Sequence, residues 1–156
     1  MHKIVTMRTL GDNGRFANQV FQYSFLYFYT KKYKMELQTP HWIGEELFGF
    51  KNNPICRDFA RIIINKKSEL DQICQFEPIG DIDFWGYFQD ILYYIDYKDE
   101  FQKLFTPIEK IKSPLTNQWS SLLSKDIIGL HLRYGDYGYG HFYETPLDVV
   151  LEKIEE

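Results

Sequence analysis

The chain has 156 residues, 44% of them apolar and 18% aromatic, and a formal net charge of −4. A composition this apolar excludes a disordered chain, and the length suits one packed domain, not two full ones. The acidic balance and the lack of a dense Lys/Arg face exclude general nucleic-acid binding, so a nucleotide ligand requires a local pocket.

The N-terminal "MHKIVTMRTL" holds too short an apolar run for a signal peptide or an anchor, and no later stretch reaches the length of a membrane span. The expected location is cytoplasmic, with peripheral attachment to a membrane left open. Cys56 and Cys74 lack the CxxC or His-pair context of a zinc site and read as free thiols in a reducing compartment.

Ile4 to Met7 is a short β-branched run that breaks at "LGDNGR", as a buried first strand ending in a tight loop would. From Asn18 the period changes. Val20, Phe21, Tyr23, Phe25, Leu26, Phe28 and Tyr29 are apolar on most sides, the pattern of a central helix packed on both flanks. Lys31, Lys32 and Lys34 mark its C-terminal end, where positive charge suits the helix dipole. "KMELQT", Lys34 to Thr39, alternates as a second strand does, which completes a βαβ unit.

"TPHWIGEELFGFKNNP" has the Pro, Gly and Asn density of a loop region with room for one helical turn, and "RDFARIIINKK" fits helix or strand equally. "DIDFWGYFQD", Asp81 to Asp90, is an aromatic segment opened by Gly80 and interrupted by Gly86. Asp90 is placed to cap a helix through Tyr93, Tyr94, Tyr97, Phe101 and Leu104, stopped by Pro107. A further helix is expected after Pro114, carrying Trp119, Leu122 and Leu123. "DIIGLHLRYGDYGYG" begins as a strand, Ile127 to Leu132, and dissolves into glycine and tyrosine; a last helix covers Pro146 to Glu156. Strands alternating with helices predict a Rossmann-like, three-layer α/β domain with a mostly parallel sheet over residues 1–156.

Ligands in such sheets sit at the carboxyl ends of the strands, where both glycine-rich loops fall. A loop that leaves a strand and enters a helix offers free backbone N–H groups to a phosphate. There Gly14 permits close approach and Arg15 presents a fork matched to phosphate oxygens, while Asn18 either caps the helix or meets a ligand. The plainer alternative is a turn glycine, a solvated arginine and a cap. In "HLRYGD" the period of two puts His131 and Arg133 on one face of the strand, and polar groups at the exit of an apolar strand need a polar partner. Arg133 can pair with a diphosphate, with His131 and Asp136 as companions; a buried His–Asp–Arg tie is the alternative. The acids of "DID" imitate a metal-binding Asp-x-Asp pair but fit a turn before the aromatic segment better. His41, Trp42, Trp85 and Tyr87 can stack on an acceptor sugar or fill the core, and His141 lies in a loop of interleaved Gly and Tyr that can close over a substrate.

"GRFANQVFQY" (Gly14 to Tyr23), "GYFQDILYY" (Gly86 to Tyr94) and "IIGLHLRYGDY" (Ile127 to Tyr137) resemble the three ordered landmarks of the α-1,2-fucosyltransferases, glycosyltransferase family 11; the first and last are also similar to the protein O-fucosyltransferases. The resemblance implies inverting transfer of L-fucose from GDP-fucose to a sugar hydroxyl of a glycan acceptor, without an essential metal or other cofactor, on two Rossmann-like domains of the GT-B type. It assigns Arg133 to the donor diphosphate with His131 and Asp136 beside it, and Gly14, Arg15 and Asn18 to the N-terminal loop at the donor. Trp85, Tyr87 and His141 are the acceptor-side candidates. Most family members have a second arginine immediately after the first, where this chain has Tyr134. The second domain of a GT-B enzyme is expected to be missing, so that the chain is the N-terminal, acceptor-side half with its donor motif at 127–137, completed by self-association or a partner chain. A non-catalytic carbohydrate- or nucleotide-binding domain is the alternative. A dinucleotide-dependent oxidoreductase is disfavoured because "GDNGR" has too few glycines and only Glu36 stands near the acidic position of that fingerprint.

Overall fold

The computed structural model describes residues 3–127, 129–132 and 146–155. It is an α/β structure built on one four-stranded, all-parallel sheet: β1 (Ile4–Thr6), β2 (Glu36–Leu37), β3 (Arg61–Ile63) and β4 (Ile82–Trp85), in the order β2-β1-β4-β3. The chain divides into two compact units, Met1–Pro114 and Leu115–Glu156. All four strands lie in the first.

Helix α1 (Phe16–Tyr33) joins β1 to β2 and is packed on both flanks, as its apolar pattern requires. Phe25 and Tyr29 meet Phe84 of β4 edge-on, with ring centroids 5.1 Å apart in each case. The opposite flank carries Tyr23 against Phe50 (4.2 Å) and Trp42 (5.1 Å), and Phe28 against Tyr97 (4.7 Å). The helix ends as its lysines suggest: Lys31 and Lys32 occupy the last turn, and Lys34 adopts the left-handed conformation of a C-cap (φ 52°) with its N–H on the carbonyl of Thr30.

The segment read as helix or strand, "RDFARIIINKK", is the edge strand β3, whose backbone is held by β4 on one side. It is followed by α3 (Lys67–Ile73), where the Glu69 carboxylate accepts the N–H groups of Asn65 and Lys66, the reciprocal half of a capping box. Leu70 of α3 joins the core that Val5, Leu26, Ile82 and Phe84 form with α1, so α1 and α3 share one face of the sheet. The one helical turn for which "TPHWIGEELFGFKNNP" had room is α2 (Ile43–Phe48). Gly44 there is obligatory: a Cβ would stand 2.2 Å from the Trp42 indole.

Three expected elements differ. Asp90 does cap, accepting the Leu92 N–H at 3.0 Å, but it opens two short 3-10 turns (Ile91–Tyr93 and Ile95–Tyr97) before α4 (Lys98–Leu104), not one long helix. The break falls at Tyr94, whose buried hydroxyl donates to the carbonyl of Phe88 at 2.8 Å and fixes the chain there. The helix expected after Pro114 instead encloses it as α5 (Glu109–Gln118), and α6 (Ser120–Leu123) follows. The strand expected over Ile127 to Leu132 is not formed in its described residues: Ile127 and Leu130 are exposed, and among the described residues no strand stands beside them to take their backbone groups or cover their side chains. The C-terminal helix is present as α7 (Leu147–Glu155). Among the described residues no helix is long and apolar enough to cross a membrane, and Cys56 and Cys74 are free thiols.

Candidate functional site

The carboxyl ends of β1 and β4 are adjacent in the sheet, and the loops that leave them meet. The β1 loop turns tightly, with the N–H groups of Asp12 and Asn13 both on the carbonyl of Thr9 (3.1 and 2.8 Å). Gly14 has φ +81°, and a Cβ there would stand 2.6 Å from the Asn18 side-chain nitrogen, so only glycine serves. Arg15, extended, is the N-cap residue of α1, and no side-chain cap bond is made to the first turn. Asn18 is therefore not the cap. Its Oδ1 accepts the side-chain amide of Gln89, which belongs to the loop after β4.

Two glutamines of α1 hold this arrangement. Gln19 donates its Nε2 to the carbonyls of Gly11 (2.9 Å) and Gly14 (3.2 Å). Gln22, fully buried, donates its Nε2 to the carbonyl of Asn13 and to that of Gly86, both at 3.1 Å. One amide thus pins the β1 loop to the β4 loop. The Asn13 Nδ2 and Gln22 Oε1 atoms in this joint are buried and without a hydrogen-bond partner among the described residues. Sequence reasoning passed over Gln19 and Gln22 as part of the helix pattern; the signal was a polar pair at i and i+3 on a helix otherwise apolar on most sides.

Trp85 ends β4, half-buried, and Tyr87 follows, exposed, with its ring 6.2 Å from the indole in an edge arrangement. Both are at the same loop end as Gly86 and can face a ligand. Trp42 cannot: it is 2% exposed, inside the aromatic cluster around Tyr23, and so belongs to the core. His41 is exposed and its pKa is raised by the hydrogen bond to Glu45 (2.8 Å), which ties it to α2. The acids of "DID" do not make a turn. Asp83 lies inside β4, fully buried, and accepts the backbone N–H of Arg8 (2.9 Å) and the Nε atoms of Arg8 (3.1 Å) and Arg61 (2.9 Å). Asp81 accepts the N–H of Ile4 (2.8 Å) and the Arg57 guanidinium (2.5 Å). A strand that buries a carboxylate needs such cations, and they come from segments flanking β4 in space, at long sequence separation. Among the described residues no group of three or more His, Cys, Asp or Glu side chains stands together to hold a metal ion.

His131 belongs to the second unit and is exposed. The described residues around it form no strand. Arg133, Asp136 and His141 lie outside the described residues.

The fold and this loop junction define a parallel α/β protein whose candidate ligand edge is built by the β1 and β4 loops and the start of α1. Comparison with protein-family models, curated proteins and solved structures finds no match for the chain.

Proposed function

We propose that the protein is a sugar-nucleotide-dependent glycosyltransferase that moves L-fucose from GDP-fucose to a sugar hydroxyl with inversion, in the manner of the α-1,2-fucosyltransferases that its three landmark segments resemble. The observation that carries this reading is the junction of two of those segments. "GRFANQVFQY" and "GYFQDILYY", far apart in the chain, are joined at the carboxyl edge of the sheet by Gln22 and by the Asn18–Gln89 pair. A parallel sheet with such an edge is compatible with one Rossmann-like half of a GT-B enzyme, working in the cytoplasm or against a membrane surface.

In this reading the N-terminal amides of α1 and Arg15 face the donor phosphates, and Arg133 grips the diphosphate and stabilises the charge that grows as it leaves. The acceptor oxygen forms a bond to the anomeric carbon as the bond from that carbon to GDP breaks, and the hydroxyl proton passes to Asp12, Asp136 or His131. Trp85, Tyr87 and His141 take the acceptor sugar. No metal enters the step.

The test is GDP release from GDP-fucose with lactose or N-acetyllactosamine as acceptor, beside a calorimetric titration with GDP. Turnover that Arg133→Ala abolishes, with the thermal melt unchanged, is the expected result. Binding of GDP without turnover assigns the chain instead to a carbohydrate- or nucleotide-binding module that acts with a partner, and turnover unaltered in Arg133→Ala refutes the residue assignment.

A further inference from the structure

Asp83 lies opposite Thr6 of β1 and Arg61 of β3 in the sheet register, so the side chains of these three residues share one face, the one turned away from Phe84 and α1. Arg8, two residues beyond Thr6, reaches the same carboxylate. A single buried oxygen, Asp83 Oδ2, therefore holds two guanidinium groups side by side, at 3.1 Å from Arg8 Nε and 2.9 Å from Arg61 Nε. Each arginine side chain keeps over a third of its surface in solvent, 35% for Arg8 and 38% for Arg61.

Two cations meet one buried anion here, and the charge balance is completed only by an exposed carboxylate. Arg8 completes its bonding with Asp58, whose side chain is 86% exposed. Arg61 spends only its Nε on Asp83, and its terminal N–H groups have no partner among the described residues. Asp58 is thus an exposed carboxylate held by Arg8 alone, a surface pairing that contributes little and that another oxyanion can replace. Two residues along β4 from Asp83, about 7 Å by strand geometry, stands Trp85 on the same face, with Tyr87 beyond it. An indole on the same sheet face as two part-exposed guanidinium groups suits a ring that is apolar on one side and anionic at its rim.

We propose that this face of the sheet binds an anionic sugar, a pyranose carrying a carboxylate or a phosphate. The oxyanion displaces Asp58 from Arg8 and takes the terminal N–H groups of Arg61, and the ring lies against Trp85. As the acceptor site of the transferase this rests on the glycosyl-transfer reading above. As a binding site it is independent of any donor.

The experiment titrates the full chain with digalacturonate, galactose 6-phosphate and neutral galactobiose, without GDP-fucose, following the Trp85 indole N–H signal by NMR. Saturable binding of the charged sugars, weaker by roughly tenfold for galactobiose, is expected from the loss of one charge-assisted contact. The two charged sugars distinguish a carboxylate from a phosphate ligand. Arg61→Gln weakens binding of the charged sugars to the level of the neutral one, and Asp58→Asn, which removes the competing carboxylate without touching the buried network, tightens it several-fold. Equal affinity for charged and neutral sugars, no saturable binding of any of them, or affinities unmoved by both substitutions overturns the proposal. GDP binding that persists in such a case leaves the transferase reading standing and removes only this site.

Discussion

Gln22 carries no charge and reaches no solvent, yet it is the residue on which the candidate edge turns, because its amide is shared by carbonyls of two loops. Replacing it with Met keeps the volume and removes the donor, so one buried and one part-buried carbonyl lose their partner. A loss of about 1–3 kcal/mol is expected, read as a lower melting temperature together with faster amide exchange in residues 11–14 and 86–89. Gly14→Ala tests the same loop from the other side. The left-handed φ of +81° and the approach to Asn18 make it destabilising by about 1–3 kcal/mol, and an equilibrium denaturation curve checks it. Tyr23 gives a pH signature. Burial pushes its hydroxyl from 10.0 up to about 12, against the smaller opposing effect of the Asn52 hydrogen bond. A group whose folded pKa is raised contributes stability that is complete below the unfolded value and fades as pH rises through the folded one. The stability difference between the wild type and Tyr23→Phe is therefore constant up to about pH 10 and shifts against the wild type between about 10 and 12. Thermal melts across that range read it.

At the scale of elements, α1 is the pivot of the first unit. Its inner flank supplies Phe25, Leu26 and Tyr29 to the sheet, and its outer flank supplies Tyr23 and Phe28 to an aromatic belt with Trp42, Phe50, Tyr97 and Phe105. A helix so placed cannot trade a large side chain for a small one on either flank without leaving a cavity. Leu26→Ala, at a position with no exposed surface, is expected to cost about 2–5 kcal/mol, measurable by urea unfolding with an unchanged slope. The strands contribute differently. They are short, from two to four residues, and β1, β4 and β3 are cross-tied by Asp83 and its two arginines, which supply attachment that so few ladder hydrogen bonds do not.

At the scale of the molecule, the four strands and the shared core all lie within Met1–Pro114. A fragment ending at Gln118, which keeps α5 whole, is accordingly expected to fold by itself and melt cooperatively, with the far-UV circular dichroism of a mixed α/β protein. A fragment that melts without a transition would show that the second unit is needed for the first to fold. The second unit carries its apolar residues, among them Leu115, Trp119, Leu122, Leu123, Leu147 and Leu151, on exposed surface.

What the sequence determined by itself was the part governed by local rules. The βαβ start, the lysine-rich end of α1, the glycine turn at Gly14 and the C-terminal helix are legible because period, capping and left-handed backbone depend on residues a few positions apart. Which way "RDFARIIINKK" would fold, whether Ile127 and Leu130 would find a neighbouring strand, and that Asp83 would be a strand carboxylate between two arginines were decided only in the tertiary structure. Those outcomes depend on partners contributed from elsewhere in the chain. A short apolar run becomes a strand only where another strand accepts its backbone, and a buried acid is tolerated only where distant cations reach it. The same reason hid Gln22: a glutamine in a helix carries no local mark of the two loops it will hold together.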